Sequence, residues 1–364
     1  MKQIAYDIST LALTGAGTST YLRELLAALD RGHNDISPVL LDYKPFFSRS
    51  NRLLRVFDTL NRELVWQQRV LPRLAKNAGC AILHSPAMLC PLQCDMPIVY
   101  TVPDIYIVRS PGAFPLWQRN IMNRLFHRCV ERADIIIAIS QFTKNEILEL
   151  YPHISEEKVI VTWLGVHERF KPVSAELKEM VRRKYALNRP FVLAVSTIEP
   201  RKNLITLIRA FARIKDRTEH DLVLAGPYGW GSKELYSLIT NLGLDDRVRF
   251  TGYVDIEDLP AVYNLADIFV YPSLYEGFGL PPLEAMACGC PVITSDVASL
   301  PEVVGDAAEK LDPFDVEALA CSMEKFLQDA GLRQEFTAKG LRRASCFTWE
   351  KCANDTVAVY NTLA

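Results

Sequence analysis

Two glutamates, Glu276 and Glu284, stand eight positions apart in YEGFGLPPLEAMACGCPVI (275–293), with Gly-Phe-Gly-Leu-Pro-Pro between them. A carboxylate accepts two hydroxyl hydrogen bonds at once, which suits a vicinal diol. The apolar run 267–272 reads as a buried strand and the stretch from Pro282 as a helix. Glu276 therefore falls on a corner, and Glu284 in the first helical turn. Gly277 and Gly279 let the backbone turn and approach a ligand. Pro281 and Pro282 suit first helical positions, where no amide hydrogen is needed. Amides exposed at a helix start receive an anion or a sugar hydroxyl. Taken alone, Glu284 equally well complements the helix dipole.

Arg201 and Lys202 lie in VSTIEPRKNLITLIRAF (195–211), where a strand ends and a helix begins near Asn203. Arg offers a planar fork and Lys a point charge, so the two can grip a diphosphate. A solvated charge pair is the plainer alternative. LAGPYGWG (224–231) is another strand end opening onto glycines, and in FTGYVDIEDLP (250–260) Tyr253-Val254 can line a flat base pocket. Either is also compatible with an ordinary loop. LTGAGTSTYLRELL (13–26) places Gly15 and Gly17 between a first strand and a helix. This is half of a phosphate loop, without the acidic residue about 20 positions on that a dinucleotide site needs. No D-x-D triplet occurs, and Asp255-Ile-Glu257 comes nearest. Without such a carboxylate pair no metal or other cofactor is expected, and Arg201 and Lys202 must neutralise a departing diphosphate themselves.

The elements that must position these residues alternate along the chain. Strand-like runs occur at 2–8, 37–43, 80–84, 97–102, 134–140 and 158–163, then at 191–196, 221–226, 247–251, 267–272 and 291–295. Continuous Val/Ile/Leu runs suit parallel strands covered on both faces. The rhythm runs twice through the chain, so the fold class is α/β with two doubly wound sheets. A length of 364 residues fits two domains. The boundary is expected in the polar stretch 167–176, giving domains 1–170 and 171–346, and 347–364 reads as an amphipathic helix. In open parallel sheets, ligands gather beyond the carboxyl ends of the strands.

Composition excludes several classes. A formal net charge of −2 gives no support to nucleic-acid binding, and 49% apolar with 23% charged residues is ordinary for chains with sizeable cores. The nine cysteines are scattered, without zinc-finger spacing, and read as reduced thiols. The opening MKQIAYDIST is strand-like rather than a signal peptide. No run of about 18 apolar residues occurs, so no membrane span is expected. The expected location is the cytoplasm, with any membrane met peripherally from its inner face.

The order of the motifs carries more than each one alone. R-K-N-L, L-A-G-P-x-G-W, T-G-Y-V and E-G-F-G-L-P-x-L-E-A-M-A-x-G-x-P-V-I follow one another between about 191 and 302. This series resembles the retaining, nucleotide-sugar-dependent glycosyltransferases of family four. The likeness extends more loosely through TVPDIYIVRSP (101–111) and ADIIIAISQFTKNEI (133–147) to the glycines at 15–17. It implies the GT-B fold, two Rossmann-like domains facing across a cleft. The N-terminal one binds the acceptor, the C-terminal one binds the nucleotide sugar, and the final helix crosses back to the N-terminal domain.

It also implies roles. Arg201 and Lys202 hold the donor diphosphate, Glu284 the ribose, and Glu276 the donor sugar. The amides of Phe278, Gly279 and Leu280 position sugar and phosphate. Val254 meets the base through its backbone, and Gly15 and Gly17 line the N-terminal side. The implied reaction is transfer of a hexose or 6-deoxyhexose, with retention, from a GDP-mannose-like or GDP/dTDP-6-deoxy donor to a glycan or lipid-linked acceptor. One position departs from the family pattern, in which a histidine stands where this chain has Pro103, beside Asp104 on the acceptor side. Three readings follow: a donor without a 6-hydroxyl, another residue such as His84 or Asp104 in the vacant role, or binding of a nucleotide sugar without turnover. A UDP-sugar donor is the nearest enzymatic alternative. A dinucleotide oxidoreductase leaves Arg201, Lys202 and the glutamates unexplained.

On the acceptor side, residues 44–76 hold eight Lys+Arg against two acidic residues, interleaved with Phe46, Phe47, Leu53, Leu54, Val56 and Phe57. Such a basic amphipathic stretch can lie on an anionic membrane surface. A solvated helical face over the core is the alternative.

Overall fold

The computed structural model describes residues 1–12, 17–33, 35–44, 52–86, 89–114, 116–229 and 232–363. The chain divides into two units, Met1–Gly165 with Trp349–Ala364, and Val166–Thr348.

The first unit is built on β1 (Lys2–Asp7), β2 (Ile36–Leu41), β3 (Ile82–Ser85), β4 (Ile98–Val102), β5 (Ile135–Ala138) and β6 (Val159–Val161). All pair in parallel, in the order β2-β1-β3-β4-β5-β6. The order reverses direction between β1 and β3, the place where ligands of doubly wound sheets gather. β3 and β4 are buried at every position, which is why they read as unbroken apolar runs.

The second unit holds β7 (Phe191–Val195), β8 (Asp221–Ala225), β9 (Val248–Gly252), β10 (Ile268–Tyr271), β11 (Val292–Ser295) and β12 (Ala308–Leu311). Its order is β12-β11-β10-β7-β8-β9, again all parallel. Read from β9, this is the 3-2-1-4-5-6 order of nucleotide-binding sheets, with the reversal between β7 and β10. β12 escapes a sequence reading because Ala308-Glu309-Lys310-Leu311 is half polar, as an edge strand permits. Gly226, just beyond β8, has φ +138°, and a Cβ there would lie 2.1 Å from the carbonyl oxygen of Ser196. Only glycine lets these two loops meet.

The C-terminal helix Trp349–Thr362 belongs to the first unit. Its buried side chains Trp349, Cys352, Ala353, Thr356, Val357 and Tyr360 recur at three- and four-residue spacing and form one apolar stripe. A buried polar chain fastens the stripe to the sheet. The Tyr360 hydroxyl lies 2.6 Å from the Tyr6 hydroxyl and 2.6 Å from His84 Nδ1, and His84 Nε2 lies 2.7 Å from Thr101 Oγ1. Tyr21 joins Thr101 at 3.1 Å, and Lys2 donates to the Tyr360 carbonyl.

Burial pushes His84 down to about 3. A neutral imidazole has one donor and one acceptor nitrogen, which matches two hydroxyl partners. The neutral ring therefore supports the fold fully above its unfolded value near 6.5, and that support is lost as pH falls toward the folded value. Unfolding free energy should fall in wild type relative to His84→Gln by roughly 1 kcal/mol per pH unit between about pH 6.5 and 4.5. Urea titrations at several pH values measure this, and parallel curves would refute it.

Candidate functional site

In the second unit, the carboxyl ends of β7 and β10 lie side by side, with Val192 opposite Ile268 and Leu193 opposite Phe269. The chain leaving β7 makes a short 3-10 turn, Pro200–Lys202. Asn203 ends the turn in the left-handed region (φ 54°), a conformation that Asn tolerates better than most residues. Its side-chain amide donates to the carbonyls of Pro272 (3.1 Å) and Pro313 (2.6 Å) and so ties this corner to the loop after β10. The Leu274 amide donates back to the Arg201 carbonyl, from which the Ser273 hydroxyl oxygen lies 3.1 Å.

These ties bring Glu276 onto the two cations. Lys202 Nζ is 2.6 Å from Glu276 Oε1, and Arg201 Nη1 is 3.3 Å from Oε2. Tyr271 and Ser273 hydroxyls also donate to Oε1, at 2.9 and 2.6 Å. Lys202 donates to the Tyr271 hydroxyl as well (2.8 Å), and Arg201 reaches Glu199 at 2.9 Å and the Tyr275 carbonyl at 3.0 Å. Lys202 and Glu276 are 9% and 8% exposed, so this is a buried ion pair rather than a solvated charge pair. Burial alone would raise the Glu276 carboxyl, but Lys202 and Arg201 hold it below the usual carboxylate range. The charges balance as two cations against Glu199 and Glu276, the arrangement burial requires.

The following corner is rigid. Ser299, fully buried, donates to the carbonyls of Glu276 (2.9 Å) and Phe278 (2.7 Å). Gly279 has φ +111°, and a Cβ on it would lie 2.8 Å from Leu300 Cδ2. It caps the helix Leu280–Ala287, which carries Pro281 in its first positions. One turn in, Glu284 Oε2 accepts from the Tyr263 hydroxyl at 3.0 Å. Burial pushes the Glu284 carboxyl up to about 7, partly offset by that hydrogen bond and by the charge of Arg169. Among the described residues Glu284 forms no ion pair, unlike Glu276.

Val254 is buried beyond β9, beside Tyr253, which is 68% exposed. In the first unit, Gly17 opens the helix Gly17–Gly32, while Gly15 lies outside the described residues. Asp104 accepts from the Tyr106 amide at 2.9 Å, at the start of the short helix Tyr106–Arg109. His84 is fully buried with both nitrogens engaged, so it does not supply the group that Pro103 lacks. Among the described residues, no three His, Cys, Asp or Glu side chains are placed to hold a metal ion.

The sequence reading did not single out Tyr271, Ser273, Ser299 or Tyr263. Tyr271 and Ser273 carry a faint signal, as polar groups at the end of an apolar strand. Ser299 and Tyr263 carry none, because their partners are 21 to 23 residues away.

If the Lys202–Glu276 contact carries the corner, the two side chains are energetically coupled. A double-mutant cycle of Lys202→Met and Glu276→Gln, read by urea unfolding, should return a coupling of about 1–3 kcal/mol. A value within error of zero would remove the pair from its structural role.

The family model for glycosyl transferases group 1 matches residues 178–343, and that for glycosyltransferase family 4 matches residues 15–170. The chain is 37% identical to O-antigen chain mannosyltransferase B of Escherichia coli over 285 residues, covering 78% of this chain and 74% of that protein. It is 36% identical over 255 residues to the serotype-specific mannosyltransferase WbdA of Escherichia coli, covering 68% of this chain but 31% of that longer protein. The solved structure of HepE from Anabaena with UDP-glucose superposes over the whole of both chains with a TM-score of 0.78 at 19% identity, a likeness of GT-B fold. With one relative alike over most of both lengths and a family model on each half, this chain belongs to glycosyltransferase family 4 and is a glycosyltransferase.

Proposed function

We propose that the enzyme transfers a hexose from a nucleotide sugar of the GDP-mannose kind to a glycan or lipid-linked acceptor, with retention and without a metal ion. The observation that carries this is the balanced buried knot of Arg201, Lys202 and Glu276 where the order of the second sheet reverses. The mannosyl relatives favour a mannose-type donor. A donor diphosphate competes with Glu276 for the two cations, and Glu276 turns its freed oxygens to the sugar hydroxyls. The amides of Phe278, Gly279 and Leu280 meet sugar and phosphate at the helix start. Glu284 takes the ribose diol and Val254 the base edge.

In the reaction, the anomeric carbon–oxygen bond breaks and its electron pair passes to the diphosphate, whose charge Arg201 and Lys202 absorb. The acceptor hydroxyl attacks from the same face and gives its proton to the departing phosphate oxygen. The new glycosidic bond keeps the anomeric configuration, and no protein base is required.

Pro103, with His84 engaged elsewhere, favours a second reading in which the donor is a 6-deoxy sugar. Calorimetry with GDP, UDP, dTDP and their sugars, in EDTA, tests both readings. GDP-mannose should bind and turn over. A clear preference for a GDP- or dTDP-6-deoxy sugar would shift the assignment to the second reading, and a UDP-sugar preference would refute both. Glu284→Ala should weaken GDP at least tenfold while leaving 2′-deoxy-GDP nearly unchanged. Equal losses for the two nucleotides would refute the ribose role.

We also propose that 44–76 rests on an anionic membrane where the acceptor is lipid-linked. No helix among the described residues is long and apolar enough to cross a membrane. In the described part of the segment, Leu54, Phe57, Leu64, Val65, Val70 and Leu74 are exposed beside the exposed basic side chains of Arg69, Arg73 and Lys76. Phe46 and Phe47 lie outside the described residues. The protein should float with anionic vesicles at low salt and sink with neutral ones. No flotation on either would end this idea.

A further inference from the structure

Tyr263 lies in the helix Leu259–Leu265, which follows the loop carrying Val254. Its side chain is fully buried, and a buried phenol hydroxyl needs a hydrogen-bond partner. The partner is Glu284, whose Oε2 accepts at 3.0 Å. Aromatic neighbours fix the ring edge-on: Phe269 of β10, at 5.4 Å and 72°, and Phe170, at 6.1 Å and 70°. The next residue, Asn264, ties the segment after Phe170 to the same helix. Its Oδ1 accepts from the Val173 amide at 3.0 Å, and its Nδ2 donates to the Lys171 carbonyl at 3.1 Å. Packing therefore holds the phenol in place, and the carboxyl oxygen bonded to it is fixed with it.

Glu284 itself is half-buried, and among the described residues its Oε1 has no hydrogen-bond partner. Arg169, next to Phe170, is a cation that acts on this carboxyl, while its own ion pair is with Glu257, 2.5 Å away. One turn along the helix of Glu284 stands Cys288, whose thiol is pushed up by burial and then by the Glu284 charge. Other elements packed on this helix turn their polar groups elsewhere. From β10, the Tyr271 hydroxyl donates to Glu276. From the helix Ala330–Ala344, Arg343 donates to the carbonyls of Glu302 and Val303.

We propose that Tyr263 is a positioning residue for the nucleotide: its hydroxyl holds one oxygen of Glu284 so that the other is presented to the ribose diol. The proposal rests on the ribose reading of Glu284 and deepens it. Orientation is half of the role, and charge is the other half. An ionised carboxyl accepts from both hydroxyls of a diol, whereas a protonated one spends an oxygen on its own proton. Burial pushes the Glu284 carboxyl up to about 7, and the Tyr263 hydrogen bond and the Arg169 charge oppose that rise. Removing either lets it rise further. The ionised form is populated above the folded value, so the grip on ribose tightens as pH climbs through about 7. Without the Tyr263 hydroxyl or the Arg169 charge, the same tightening comes at higher pH.

Calorimetry of GDP and 2′-deoxy-GDP on the full chain, from about pH 6 to about pH 9, tests this. The ratio of the two affinities isolates the ribose hydroxyl, because both nucleotides carry the same base and phosphates. In wild type the preference for GDP should grow with pH, with a midpoint near 7. Tyr263→Phe keeps the ring and its aromatic contacts. It should move that midpoint up by about half a pH unit or more and cut the preference at neutral pH about threefold. Arg169→Gln, on a side chain 27% exposed, should move the midpoint the same way. A purely structural role for Tyr263 would leave the midpoint in place. A clear wild-type preference for GDP with an unmoved midpoint in Tyr263→Phe therefore overturns the proposal alone, as does an equal weakening of both nucleotides. A wild-type ratio near one at every pH, or no binding of GDP, would instead overturn the donor reading and take the proposal with it.

Discussion

A buried carboxylate shared by two cations, Glu276 with Lys202 and Arg201, organises the second unit's corner. Taking such charges out of water is costly unless geometry and added hydrogen bonds compensate. Here the compensation is explicit, from Tyr271, Ser273 and the neighbouring Glu199. That need accounts for much of the local structure. Asn203 accepts a left-handed backbone to tie the turn down, and Ser299 pins the carbonyls on either side of Gly277. The constraint also leaves two cations largely shielded from water, where charge–charge interactions are stronger.

The two glutamates of the glycine-rich corner differ in electrostatic state although eight residues separate them. Glu276 is held ionised by its cations, whereas Glu284 is pushed up to about 7 with one tyrosine hydroxyl as its neutral partner. An ionised carboxylate beside cations is already satisfied and must exchange partners to bind. A carboxyl pushed up to about 7 is part protonated at neutral pH, so it can donate as well as accept. This difference fits the division of labour proposed above between the charged end of a donor and its neutral diol.

The two sheets repeat one device with different chemistry. Each reverses its strand order once, and each places polar residues beyond the reversal. In the second unit the group pairs two cations with two carboxylates. In the first it is rich in carboxyl and amide groups, with Asp7, Glu63 and Gln67 near Arg62, next to a separate buried chain that fastens the C-terminal helix through His84 and Tyr360. Tyr6 and Asp7 show how this separation is achieved, since adjacent residues on one strand serve opposite faces.

By itself, the sequence determined the α/β class, eleven of the twelve strands among the described residues and the final helix, because long apolar runs and a regular apolar stripe are local patterns. It also singled out Arg201, Lys202, Glu276 and Glu284, because glycines and prolines mark their corners. Tertiary structure alone decided what those residues touch. Lys202 and Glu276 are 74 positions apart, and only the pairing of β7 with β10 makes them neighbours. The same holds for His84, whose partner Tyr360 lies 276 residues away, and for Asp7, joined to Gln67 across 60. The polar strand β12 became legible only against its neighbour β11. Periodicity records which face of an element is buried, while hydrogen-bond partners depend on chain topology, which no local window contains.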